Sequence, residues 1–79
     1  MPTVVLYTTP TCIYCKKTKE FLTAHNVQYT EYDVAFDEAK RNEMVERTGQ
    51  MGVPVIMIDK EITIGFDRPR IASLLHITE

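Results

Sequence analysis

The chain has 79 residues, 44% of them hydrophobic and 25% charged, with a formal net charge of −2. That length makes residues 1–79 one small domain, and a chain so short buries only about 60–65% of its unfolded surface, which excludes a second core. The slightly acidic balance leaves no electrostatic footprint for nucleic acid, and apolar runs far short of the roughly 20 residues that span a bilayer exclude a membrane segment.

The first residues show no charged segment followed by an apolar one, so the chain is expected in the cytoplasm. Thr3-Val4-Val5-Leu6-Tyr7 is a nearly continuous apolar and β-branched run, which predicts a buried central strand of a parallel or mixed sheet. Thr8 to Thr11, with Pro10 and three hydroxyls, predicts a turn, and Thr11 is placed to cap a helix beginning at Cys12. From Cys12 to about His25, Cys12, Cys15, Lys19 and Leu22 fall along one line at helical spacing, with Ile13 and Phe21 beside it and Lys16, Lys17 and Glu20 outward.

Asn26 marks a helix stop, and Val27 to Val34 alternates apolar and polar residues as a second strand does. Asp37 with Glu38 behind it reads as an N-cap and acidic first turn of a second helix, which carries Met44 and Val45 and stops at Gly49. Gly52 to Ile58 predicts a strand, with Pro54 confined to its start because proline cannot donate to a ladder. Asp59-Lys60 is a tight turn into a returning strand at Ile62-Thr63-Ile64. Gly65-Phe66-Asp67 is the next corner, with Asp67 capping a last helix that has Pro69 in its first turn and runs through Ile71, Leu74 and Leu75 to near His76. Strand, helix, strand, helix, strand, strand, helix predicts an α/β fold of thioredoxin topology: a four-stranded mixed sheet flanked by three helices lying on both faces.

The chemistry sits in Cys12-Ile13-Tyr14-Cys15, where an extended run gives way to a helix. Unpaired N–H groups and the positive dipole end of the first turn favour a thiolate at Cys12, and Lys16 and Lys17 add positive charge nearby. Such a thiolate attacks disulfides, and Cys15, one turn on, attacks the resulting mixed disulfide and releases the reduced product. A structural staple is a poor reading, because a disulfide closing so short a ring removes little entropy from the unfolded chain. Half of a zinc site is the other plain reading, but four ligands are usual and His25 and His76 do not form a ligand pair with metal-site spacing. The expectation is therefore no bound metal and no tightly held cofactor. Both histidines are read as helix C-terminal residues, and Met44, Met51 and Met57 as packing.

Cys12-Ile13-Tyr14-Cys15, the segment Arg47-Thr48-Gly49-Gln50-Met51-Gly52-Val53-Pro54, and Gly65-Phe66-Asp67 occur in the order and at the places found in glutaredoxins. Over nearly its whole length the chain resembles a glutaredoxin, with features of the glutaredoxin-like redoxins that reduce ribonucleotide reductase in bacteria. The resemblance implies that Cys12 is the exposed nucleophile, Cys15 the resolving thiol, and Pro54 a cis-proline beside them whose neighbour Val53 turns its backbone toward a docked substrate. It also implies a substrate-binding rim of Thr11, Tyr14, Val53, Pro54, Gly65, Phe66 and Asp67, with Asp67 and the Val53 backbone able to grip the γ-glutamyl group of glutathione. Three departures stand against the family pattern: Ile13-Tyr14 in place of Pro-Tyr, Thr9 where a lysine would meet a glutathione carboxylate, and Phe66 where a second glycine would stand. Ile13-Tyr14 also argues against a cluster bridging two subunits, which in this family usually goes with small residues after the nucleophile.

The function implied is a thiol–disulfide oxidoreductase, an electron carrier that reduces protein disulfides or glutathione mixed disulfides. Its partners would be disulfide-containing proteins and, as electron donor, either glutathione or a thioredoxin reductase, with the chain acting as a monomer. The reading from another class is a non-catalytic thiol module that binds a metal or a partner chain. A stoichiometric zinc or iron content after purification under reducing conditions would distinguish it.

Overall fold

A computed structural model describes residues 3–77. The elements follow in the order β1 (Val4–Thr8), α1 (Ile13–Ala24), β2 (Thr30–Asp33), α2 (Glu38–Thr48), β3 (Val55–Ile58), β4 (Glu61–Ile64) and α3 (Arg68–Leu75). The strands form one mixed sheet in the order β2-β1-β3-β4. β1 runs parallel to β2 and antiparallel to β3, and β3 and β4 form an antiparallel hairpin. The architecture expected from the alternation of strands and helices is the one observed.

Alternation along the central strands divides the core between the two faces of the sheet. Val4 and Leu6 of β1 join Ile56 and Ile58 of β3, and pack with Phe21 and Leu22 of α1 and Ile71 and Ala72 of α3. Tyr7 and Val55 point the other way and pack with Val34 and with Met44 of α2. Side chains such as Leu6, Leu22, Ile56 and Ile71 are fully buried, and each contributes about 1.5–3 kcal/mol by leaving water. The Tyr7 hydroxyl reaches the edge of its layer and donates to Glu43 Oε1 at 3.2 Å, so its burial leaves no polar atom unpaired.

Local signals end the helices where the sequence places stops. Asn26 takes a positive φ of 57° just past α1, and Gly49 one of 72° just past α2. Asp37 and Asp67 cap α2 and α3, each accepting from the N–H three residues on, Lys40 at 3.0 Å and Arg70 at 3.3 Å. In the β3–β4 turn, Asp59 exchanges backbone and side-chain hydrogen bonds with Thr3, at 2.8 and 2.9 Å, which fastens the hairpin to the start of β1.

Two expectations need correction. The second strand, expected over Val27 to Val34, covers only Thr30–Asp33. The parallel register sets Thr30 opposite Val5, so only Val4 of β1 remains ahead of it to face residues 27–29. Val27 instead closes the end of α1, its N–H donating to Leu22 O at 2.8 Å, and Val27 and Tyr29 pack on the core. The first helix begins at Ile13, so Thr11 does not cap it. Ile13 itself is 70% exposed, whereas Thr18 is fully buried, its hydroxyl donating to Tyr14 O at 2.8 Å.

Candidate active site

Parallel pairing of β1 and β2 brings the loop after β1 and the loop after β2 to one end of the sheet, and β3, running the opposite way, starts at that same end. The loop of residues 9–12 and the segment of residues 51–54 therefore face each other. Cys12 occupies the N-cap position of α1 that was assigned to Thr11. Its Sγ accepts the Cys15 N–H at 3.1 Å, and its thiol donates to Val53 O at 3.7 Å. A hydrogen bond of the first kind strengthens as its acceptor gains negative charge. The one-residue shift in the helix start thus puts a sulfur where the hydroxyl was expected.

The two thiols have unlike surroundings. Both are free, but Cys12 is partly exposed, whereas only 1% of Cys15 is accessible. Burial pushes the Cys15 thiol up to about 12, helped by its interaction with the Cys12 thiol and opposed by a hydrogen bond from the Thr9 backbone and by the charge of Lys19. Cys15 is therefore a buried thiol at neutral pH.

Of the other residues read as a substrate rim, the structure joins some directly to this pair. The Val53–Pro54 peptide bond is cis, and Pro54 is buried with its carbonyl accepting the Gly65 N–H at 2.8 Å. Gly65 has φ 84°, a conformation open to glycine at little cost, and from it the chain turns into the Asp67 cap of α3. Tyr14 is 59% exposed between the cysteines, with the Lys17 ammonium 5.4 Å from its ring centre. Thr11 is exposed in the turn before Cys12. Phe66 is half-buried, its ring packing edge-on against Phe21 at 6.1 Å, and it lines an open surface pocket with Lys17 and Arg68. Asp67 is exposed and its carboxylate already serves the α3 cap.

Met51, expected like Met44 to serve packing, is instead 67% exposed just before the cis-proline, and Phe36, which the sequence did not single out, is more exposed still in the loop after β2 at this end of the sheet. Behind Cys15, on the α1 face, Thr8 donates to Glu31 Oε2 at 2.6 Å, and Lys19 Nζ pairs with the same oxygen at 3.1 Å. Desolvation pushes the Glu31 carboxyl up, but the bonds from Thr8 and Lys19 outweigh it and leave the carboxyl below its usual range. The placement of Lys19 one turn beyond Cys15 was legible in the helical spacing, but its partner across the sheet was not. Among the described residues no group of three or more His, Cys, Asp or Glu side chains is placed to hold a metal ion.

Residues 4–63 match the family model described as Glutaredoxin. The chain belongs to the glutaredoxin family. It is 44% identical over 73 residues to an uncharacterised glutaredoxin-like 8.6 kDa protein in the rubredoxin operon of Clostridium pasteurianum, an alignment covering 92% of this chain and 97% of that one. It is 39% identical over 67 residues to glutaredoxin 3 of Escherichia coli K12, covering 85% of this chain and 81% of the relative. Among solved structures, a mutant of the thioredoxin-like protein BC3987 superposes with a TM-score of 0.92 at 36% identity, covering 99% of this chain and all of the other. The glutaredoxin of Archaeoglobus fulgidus, at 22% identity, shares the fold with a TM-score of 0.85 over 95% of this chain and 87% of its own. Family and fold together support a thiol redox function for this glutaredoxin-family chain.

Proposed function

We propose that residues 1–79 act as one thiol–disulfide oxidoreductase, a cytoplasmic monomer that reduces disulfides in proteins or glutathione mixed disulfides through Cys12 and Cys15. The observation that carries this reading is the asymmetry of the pair: one sulfur accessible at a helix N-terminus, the other buried one turn behind it and held protonated. In the first step the Cys12 sulfur attacks a substrate disulfide, forming a mixed disulfide and releasing one substrate thiol. The Val53 carbonyl, which now accepts from the Cys12 thiol, is then free to pair with the backbone of the bound substrate, with Tyr14 and Pro54 beside it. In the second step Cys15 attacks Cys12 Sγ, the Cys12–Cys15 disulfide forms and the remaining substrate thiol leaves.

The oxidised pair is reset by two further electrons, from glutathione or from a flavoprotein thioredoxin reductase. Glutaredoxin relatives support glutathione. Thr9 in place of a lysine favours the reductase, because one charge contact expected for the tripeptide is missing. An NADPH-coupled assay with either glutathione plus its reductase or thioredoxin reductase as sole electron source assigns the donor.

The test of the site itself is mixed-disulfide trapping. Cys15→Ser should accumulate a covalent complex with a disulfide substrate, and Cys12→Ser should neither trap nor reduce. Equal retention of dithiol activity in both variants would overturn the assignment.

A further inference from the structure

The resolving step poses a problem that the two cysteines do not solve alone. Cys15 must give up its proton to become a nucleophile, yet it is buried beneath the partner sulfur in a place that penalises charge. On the same face of α1, one turn further on, stands Lys19. Its amine is held at 3.1 Å by Glu31 Oε2, and that oxygen also accepts the hydroxyl of Thr8 at 2.6 Å. Glu31 sits opposite Leu6 in the parallel register, which places its side chain on the α1 face of the sheet. Thr8, at the end of β1, is buried. Three elements thus converge to fix one ammonium a helical turn beyond the resolving thiol.

We infer that Lys19 is a positioning residue for the second half-reaction, its ammonium, fixed by Glu31 and Thr8, stabilising the Cys15 thiolate as it attacks Cys12 Sγ. This rests on the proposed exchange reaction and deepens it. The step balances: the Cys12–substrate S–S bond breaks, the Cys12–Cys15 bond forms, and the electron pair leaves on the substrate sulfur. The Cys15 proton goes to that departing thiolate or, where the leaving thiolate is too weak a base, to water. The two protein thiols are oxidised and the substrate disulfide is reduced by two electrons. Glu31 remains the ammonium's counterion throughout and takes no proton, consistent with a carboxyl held below its usual range. The groups whose charge acts on Cys15 or on Lys19 are Cys12 on the same helix, Glu31 on β2 and Tyr29 just before it, with the Thr9 backbone contributing its hydrogen bond from the turn.

A symmetric aromatic disulfide whose thiolate product is coloured separates the two steps in a stopped flow. Attack by Cys12 releases the first coloured thiolate and resolution by Cys15 the second. Lys19→Met should slow the second release about tenfold, equivalent to one pH unit in its pH profile, and move that profile upward. Lys19→Arg should restore most of the rate, and Glu31→Gln should lie between Lys19→Met and the unmodified protein. In a Cys15→Ser background, where only the first release remains, Lys19→Met should make no difference; such a cycle isolates the coupling between the two residues. Lys19 and Glu31 side chains are 37% and 34% exposed, so these variants keep the fold. A second release insensitive to Lys19→Met, or a first release slowed equally in the Cys15→Ser background, overturns the inference. Absence of any coloured release from the unmodified protein overturns the exchange reaction itself.

Discussion

At the start of α3 the Asp67 carboxylate accepts the Arg70 N–H at 3.3 Å, and at the start of α1 the Cys12 sulfur accepts the Cys15 N–H at 3.1 Å. Both side chains meet the same backbone need, the orphan donors of a first helical turn. Asp67 spends a chemically inert group on it and leaves the end of the helix stable. Cys12 spends a nucleophile on it, so one hydrogen bond serves the helix in the resting protein and can hold the sulfur in place when it reacts. The difference teaches that, on the proposed reaction, capping and catalysis share one geometry in α1, and that the identity of the capping atom is what distinguishes the two helix ends.

The largest expected effect separates these two roles at Cys12. Serine is a good N-cap, so Cys12→Ser should abolish disulfide reduction in a turnover assay while changing the unfolding free energy in urea by less than about 0.5 kcal/mol. Cys12→Ala should lose both the activity and the cap. Next in size is a pH effect that belongs to the second thiol alone. Burial pushes the Cys15 thiol up from an ordinary value of 9.0 to about 12. A raised value means that its contribution to stability is complete below pH 9 and is lost as pH rises from 9 toward 12. Denaturant unfolding of the reduced protein should therefore weaken across that window by more than unfolding of Cys15→Ser.

At the α3 end, Asp67→Ala should cost about 1 kcal/mol, seen as a fall of about 4–8 °C in the thermal midpoint. The smallest effect sharpens the comparison further. Asparagine caps as well as aspartate, so Asp67→Asn should leave the midpoint nearly unchanged. If the carboxylate also meets the ammonium of glutathione, as the family resemblance implies, the same change should raise the KM for glutathione severalfold.

Much of this fold was legible because short-range rules govern it. The apolar run of β1, the Asp37 and Asp67 caps, Gly49 and the Asp59-Lys60 turn all act within a few residues, and each stands where the pattern put it. The sequence misled where a distant partner decides. How far β2 extends depends on β1 across the ladder, and nothing in Val27-Gln28-Tyr29 reveals that only Val4 of β1 lies ahead of the first pair. The start of α1 turned on a choice between two adjacent candidate caps, Thr11 and Cys12, which spacing alone does not separate. The site was half legible for the same reason: Cys12 and Cys15 are neighbours on the chain, whereas the ion pair of Lys19 with Glu31 joins a helix to a strand through tertiary contact. The packing of Phe66 against Phe21 is likewise a tertiary contact that chain spacing does not reveal.

The central claim is the division of labour between the two sulfurs, and competitive alkylation reads it directly. The reduced protein, treated at pH 7 with a limiting amount of a thiol-alkylating reagent and mapped by mass spectrometry, should carry the label on Cys12, with Cys15 modified at least about tenfold more slowly. Equal labelling of both residues, or faster labelling of Cys15, would contradict the account.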